Sequence, residues 1–160
     1  MRDFRVYRAN KAGNGHAAEI SIKRQKEKDY RGEEFDDIVV FLSMAPQSGQ
    51  QDAGGNPTFL WKEKKITCSL GENDIGEILS VLRGWKSEVG TKGMLYHESP
   101  KGGNKMINFS KGQNGGFYLQ VSSKDKEGNK HGPYSVILSD ADSVLLLVLL
   151  EKVVLEMYGW

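Results

Sequence analysis

Ile66-Thr67-Cys68-Ser69-Leu70-Gly71-Glu72-Asn73-Asp74-Ile75-Gly76-Glu77-Ile78-Leu79-Ser80-Val81-Leu82 changes its hydrophobic period half-way along. Ile66, Cys68 and Leu70 alternate with polar neighbours, which places one face of a β-strand against a core. From Ile75 the apolar residues fall at Ile75, Ile78, Leu79 and Leu82, the spacing of a helix. Between them Ser69-Leu70-Gly71-Glu72 reads as a capping box, in which a hydroxyl and a carboxylate satisfy the free amides of a helix start. The same passage from strand to helix returns near the end of the chain. Tyr134, Leu138 and Asp142 stand 68 residues after Ile66, Leu70 and Asp74. Ser139-Asp140-Ala141-Asp142 is a second box, opening a helix over about 140–158. Arg83-Gly84-Trp85 and Tyr158-Gly159-Trp160 close the two helices, the second being about two turns longer. The pattern predicts a duplicated unit.

Working outward, each helix is preceded by strands. In the first half Phe4 and Val6 oppose Arg5 and Tyr7, and Ile20 and Ile22 oppose Glu19, Ser21 and Lys23. Ile38 to Met44 is apolar almost throughout, as in a strand covered on both faces. Pro46 to Pro57, rich in Gly, Gln and Pro, reads as a mobile connection. In the second half strands are expected over 94–98, 105–110, 117–123 and 133–138, with glycine-bearing turns between them. The expected fold is α+β. Two four-strand-plus-helix units, about 1–90 and 91–160 of a single 160-residue domain, form two antiparallel sheets. An oligomer is expected as well.

The oligomer is read from the last helix. Val144 to Leu150 is apolar in every direction around the axis, whereas a helix on one sheet needs only an apolar stripe. A subunit interface through Val144, Leu147, Val148, Leu150 and Val154 is expected; the alternative is a helix enclosed by its own two sheets. The apolar run is far shorter than the ~20 residues of a bilayer span, so no membrane partner is expected.

Charge is informative in its distribution. The net charge is +1, yet residues 1–28 carry eight Lys/Arg against three acids, and residues 101–131 carry six lysines against two. Residues 29–37 reverse this, with five acids against Arg31. The basic segments suit an anionic partner, and the acidic stretch is a poor place to look for its contacts. Met1-Arg2-Asp3-Phe4 begins no signal or transit segment, so a cytoplasmic or nucleoid-associated protein is expected.

The motifs of catalysis are missing. Gly13-Asn14-Gly15-His16-Ala17-Ala18 has the spacing of a dinucleotide loop but runs into strand-like sequence, where that loop must open a helix. Neither Lys101-Gly102-Gly103 nor Lys111-Gly112-Gln113 completes a Walker lysine motif. His16, His97 and His131 lack metal-ligand spacing, and Cys68, the only cysteine, sits on the core parity of its strand. No enzyme activity, metal or cofactor is expected. What remains is the polar face of the strands, where Arg5, Tyr7, Lys23, Trp61, Lys65, Tyr118 and Lys124 mix cations with aromatic rings. That mixture suits single-stranded nucleic acid, since phosphates attract charge and any unpaired base offers a ring to stack on. A protein interface remains an alternative.

Phe59-Leu60-Trp61-Lys62-Glu63-Lys64-Lys65-Ile66-Thr67-Cys68-Ser69-Leu70, running into Asp74-Ile75-Gly76-Glu77-Ile78-Leu79, resembles the Whirly family of plant single-stranded DNA-binding proteins. Phe41-Leu42-Ser43-Met44-Ala45-Pro46, Gly116-Phe117-Tyr118-Leu119-Gln120-Val121 and Tyr158-Gly159-Trp160 are similar to further family segments, in the same order. Two departures stand out. Leu60 replaces the family's aspartate before tryptophan, and the Lys-Gly-Lys-Ala-Ala-Leu signature appears as Asn14-Gly15-His16-Ala17-Ala18-Glu19, without its lysines. The long Pro46–Pro57 connection and the missing targeting segment suggest a distant relative, prokaryotic or viral, and the resemblance implies a homotetramer with helices at its centre. It also implies sequence-tolerant binding of single-stranded DNA in replication, repair or transcription. RNA binding or annealing is the first alternative, because mitochondrial RNA-binding proteins share the fold; a transcription cofactor or scaffold is the second. The expected contacts are Arg5, Tyr7, His16, Lys23, Trp61, Lys65, Lys111, Tyr118 and Lys124.

Overall fold

The computed structural model describes residues 3–160; Met1 and Arg2, part of the stretch read for a targeting signal, lie outside them. In chain order the elements are β1 (Phe4–Arg8), β2 (His16–Lys28), β3 (Glu34–Gln51), β4 (Pro57–Phe59), β5 (Ile66–Leu70) and α1 (Glu72–Leu82). Then follow β6 (Leu95–Glu98), β7 (Asn104–Lys111), β8 (Phe117–Lys124), β9 (Lys130–Leu138) and α2 (Asp140–Met157). The protein is α+β, with two antiparallel sheets.

The first sheet runs β1-β2-β3-β5, and its registers turn the sequence alternation into two faces. Phe4, Ile20, Leu42 and Cys68 form one cross-strand row, and Val6, Ala18, Met44 and Ile66 the next. Both rows face the core. Between them lie Arg5, Glu19, Ser43 and Thr67, on the opposite face. The second sheet runs β6-β7-β8-β9 and turns Leu95, Ile107, Val121 and Phe109, Leu119, Val136 inward. The Phe109 and Phe117 rings stack there, 5.6 Å apart.

The Pro46–Pro57 segment is a hairpin, not a mobile connection, and it gives the first half a fifth strand. β3 continues to Gln51 and β4 returns beside it. The reason is local. Asp52 Oδ1 accepts hydrogen bonds from the amides of Gly54 and Asn56, and the Asp52 amide bonds the Asn56 carbonyl across the turn. Gly55 supplies the left-handed residue that this turn requires. Asp29-Tyr30-Arg31-Gly32-Glu33 and Asp125-Lys126-Glu127-Gly128-Asn129 close in the same way.

Both helices begin on an aspartate three residues in. Asp142 accepts from the Ser139 amide while the Ser139 hydroxyl accepts from the Asp142 amide, as the second box predicts. The first box is displaced: Ser69 belongs to β5, Gly71 is the cap, and Asp74 accepts from the Gly71 amide at 2.8 Å. The helix ends are twins. Trp85 N bonds Ser80 O and Gly84 N bonds Val81 O; Trp160 N bonds Leu155 O and Gly159 N bonds Glu156 O. Each is a Schellman closure with a left-handed glycine. α2, at 18 residues against 11, is two turns the longer.

The helices exchange sheets. α1 follows the first sheet yet reaches β7, and α2 follows the second yet packs on β1 and β3 as well as β9. One cluster of buried side chains therefore runs through both halves. Burying Leu146, Leu150 and Val153 of α2 contributes roughly 5–9 kcal/mol, an upper figure. Leu150 is thus core and is not available to an interface. The other side of α2 is bare: Val144, Leu145 and Val148 are 58%, 63% and 59% exposed, and Leu155 follows them along the axis. Leu147 and Val154 are half-buried. Its own sheets do not enclose this helix. No helix among the described residues is long and apolar enough to cross a membrane.

Candidate nucleic-acid interface

The face of the first sheet turned away from the core carries an aromatic hollow. Tyr7 pairs with Ala17 and Ala17 with Ala45, so two small side chains lie in line with its ring. Both alanines are fully covered although they face away from the core. The returning chain runs past the end of this row. Leu60 N bonds Pro46 O at 2.9 Å and Phe59 pairs with Gln47, which sets the Phe59 ring 5.5 Å from Tyr7. Trp61, half-buried, completes a hollow of about 540 Å³ with Tyr7, Phe59, Pro57, Thr58 and Asn56. An adjoining hollow shares Ala9 and Pro57 and is walled by the amides of Asn10, Gln47, Gln50 and Gln51.

Trp61 is where the sequence reading needs correction. It lies in the turn before β5, not on the strand, so strand parity does not set its direction. The turn sets it instead, through Trp61 N to Phe59 O and Lys64 N to Leu60 O, each close to 3 Å. Lys62, Lys64 and Lys65 follow directly and are exposed, with no carboxylate at ion-pair distance among the described residues.

The remaining predicted contacts divide. Lys23 stays on the outward face, its Nζ 5.4 Å from the centre of the Phe41 ring, a cation–π pair. Arg5 is engaged by Glu19 at 2.5 Å and Asp3 at 3.2 Å, a bond that raises its pKa further and makes it a poor free cation. His16 clasps the two sheets together: its Nδ1 lies 3.1 Å from Ser135 O and its ring 5.2 Å from Tyr134. Tyr118 belongs to the second sheet, and its hydroxyl accepts from Gln120 at 2.6 Å. Lys111 and Lys124 lie on that sheet too, so the structure does not gather all nine residues. Phe59 and Phe41 were missed as site residues, because an aromatic ring in a strand reads equally well as core.

Rings that accept a base face and lysines that neutralise phosphate equip this surface for an unpaired strand. Other chemistry is poorly provided for. Burial pushes the Cys68 thiol up to about 11, which leaves it protonated at neutral pH. Among the described residues no three His, Cys, Asp or Glu side chains gather as metal ligands.

Two solved structures are similar over almost the entire chain. WHY1 from Arabidopsis thaliana superposes with a TM-score of 0.71 at 15% identity, covering 99% of this chain and 92% of that one. The plant transcriptional regulator PBF-2 superposes with a TM-score of 0.72 at 18% identity, covering 100% and 92%. This chain has the Whirly fold. No protein-family model matches the sequence, and no curated protein sequence matches it. Packing accounts for the small residues at Gly15, Ala17 and Ala18. A side chain at Gly15 would meet Arg8 O at 2.1 Å, and Ala17 and Ala18 are buried on opposite faces of β2. Packing demands those three. Asn14 and His16 lie beside the clasp to β9.

Proposed function

We propose that this protein binds single-stranded nucleic acid, DNA first, with tolerance of sequence. The Tyr7–Phe59–Trp61 hollow beside Lys62, Lys64 and Lys65, unpaired among the described residues, carries the reading. A stacked base is recognised by its π-face, which every base has, so the hollow favours tolerance over a fixed sequence. The Whirly fold, shared with a plant transcriptional regulator, supports a role in transcription or genome maintenance. It also supports binding without catalysis. We further propose that the bare face of α2 is covered by other copies of the chain. Seven consecutive apolar residues, with several of them open to water, are unusual on a solvated helix and ordinary in a subunit core. A homotetramer is the expected assembly.

Competition decides the substrate. A labelled oligothymidylate bound to the protein is challenged with unlabelled single-stranded DNA, duplex DNA and single-stranded RNA at one stated salt concentration. Single-stranded DNA should displace the label best. Better displacement by RNA would move the function to RNA, and equal displacement by duplex would refute stacking as the basis of binding.

A further inference from the structure

Many of this protein's cations are held by a carboxylate, and others are not. Arg5, Arg8, Arg24 and Arg83 each hold a carboxylate: Glu19, Asp142, Glu156 and Glu151 in turn. Lys26, Lys86, Lys126 and Lys152 are paired likewise. Lys64, Lys65, Lys105 and Lys130 have no such partner among the described residues, and all four line one cleft of about 770 Å³. The cleft lies between the edge strand β5, with the turn before it, and the far end of the second sheet. Glu63 is its one acidic residue.

Two of these lysines carry charge that no carboxylate among the described residues pairs. Lys105 shares the inward parity of Ile107 and Phe109 on β7, yet its ammonium reaches across to donate to Thr67 O at 2.6 Å. That bond uses one of three donors and fixes the charge in the cleft wall. Lys130 stands opposite Lys124 in the β8–β9 register. Like charges directly across an antiparallel pair are destabilising, and no carboxylate among the described residues lies at ion-pair distance to relieve them. An anion from outside the fold would.

The cleft and the aromatic hollow lie at the two ends of one short turn. Trp61 lines the hollow and Lys64 lines the cleft, three residues on, so their Cα atoms are at most about 11 Å apart. We infer that the cleft binds the phosphodiester backbone of the same strand whose bases enter the hollow, so that one strand crosses the 61–65 turn from the first sheet to the second within one protomer. The inference rests on the strand-binding proposal and adds a path to it.

The test is the salt dependence of oligothymidylate binding to the full chain. Each phosphate neutralised on a single strand contributes about 0.7 to the log–log slope. The double variant Lys65→Gln/Lys130→Gln should therefore flatten the slope by about 1.4, with an unchanged or higher melting temperature because the Lys124–Lys130 repulsion is relieved. Lys105 is left intact, since it also holds β5. Lys92→Gln, in the exposed connection after α1, controls for net charge and should leave the slope almost unchanged. An unaltered slope in the double variant overturns the cleft while leaving strand binding in place. Equal flattening by Lys92→Gln overturns it too, by making the effect a diffuse field. Absence of single-strand binding by the unaltered protein refutes the strand-binding proposal itself.

Discussion

Replacing Trp61 with alanine separates base stacking from support of the hairpin. The indole lines the hollow together with Tyr7, Phe59, Pro57 and Asn56. Loss of a stacking ring costs about 1–3 kcal/mol per base, so affinity for a single strand should fall roughly ten- to a hundredfold. The cost to folding is smaller. Trp61 is half-buried, and the bonds that shape its turn, Trp61 N to Phe59 O and Lys64 N to Leu60 O, belong to the backbone and survive. Losing part of one ring's burial should cost about 1–2 kcal/mol, a few degrees of melting temperature at this chain length. Anisotropy with a labelled oligothymidylate gives the affinity, and calorimetry on the same sample gives the melting temperature. Unchanged affinity in a folded variant would remove Trp61 from the site. A melting temperature lowered by well over 10 °C, with affinity lost in step, would show that the ring holds the hairpin in place and that the hollow owes its shape to it.

The sequence was most legible where structure depends on residues close together. The period change at Leu70, the Ser139–Asp142 cap and the two glycine–tryptophan helix ends all rest on contacts within six residues, and all appear in the structure. The Asp52–Asn56 hairpin belongs to the same class. Its aspartate, with a glycine three places later, occurs again at Asp29 and Asp125, and that repetition is the signal that would have exposed it. Trp61 was misplaced because the alternation of Ile66, Cys68 and Leu70 was extended backward past the start of the strand. The site itself was only partly legible, for a physical reason. Whether a cation is free depends on partners far along the chain: Arg8 meets Asp142 and Ile137 O, and Arg24 meets Glu156. No local pattern distinguishes those arginines from the unpaired lysines, and the helix exchange that brings such partners together exists only in the fold. Leu150 was misassigned on the same ground, since an all-apolar helix does not reveal which of its faces its own sheets will take.

Two further outcomes test the remaining structural claims. Hydrogen bonds from Asn56 hold the Asp52 carboxyl below its usual 3.8, those from Asn129 do the same for Asp125, and Lys86 with the Gly90 amide holds Glu77 below 4.5. A depressed folded-state pKa means that these contacts stabilise fully above those ordinary values and fade as pH falls through the lower folded ones. The melting temperature should therefore drop as pH decreases below 4.5 and more steeply below 3.8, and a flat profile across that range would show that the turns do not depend on their carboxylates. Val148→Asp tests the assembly. Val148 lies on the bare side of α2, turned away from Leu146 and Leu150, so an aspartate there faces water in an isolated protomer and leaves its core intact. In an assembly closed through this helix, each copy would instead bury an unpaired charge, at a cost of at least about 3 kcal/mol, or two decades of association. Light scattering should then show a tetramer for the unaltered protein and folded, smaller species for the variant. Leu150→Asp is the contrasting case, because it places the charge in the protomer's own core and should prevent folding altogether. A variant at Val148 that keeps its mass and its melting temperature would mean that the bare face of α2 meets solvent, and the tetramer would fall with it.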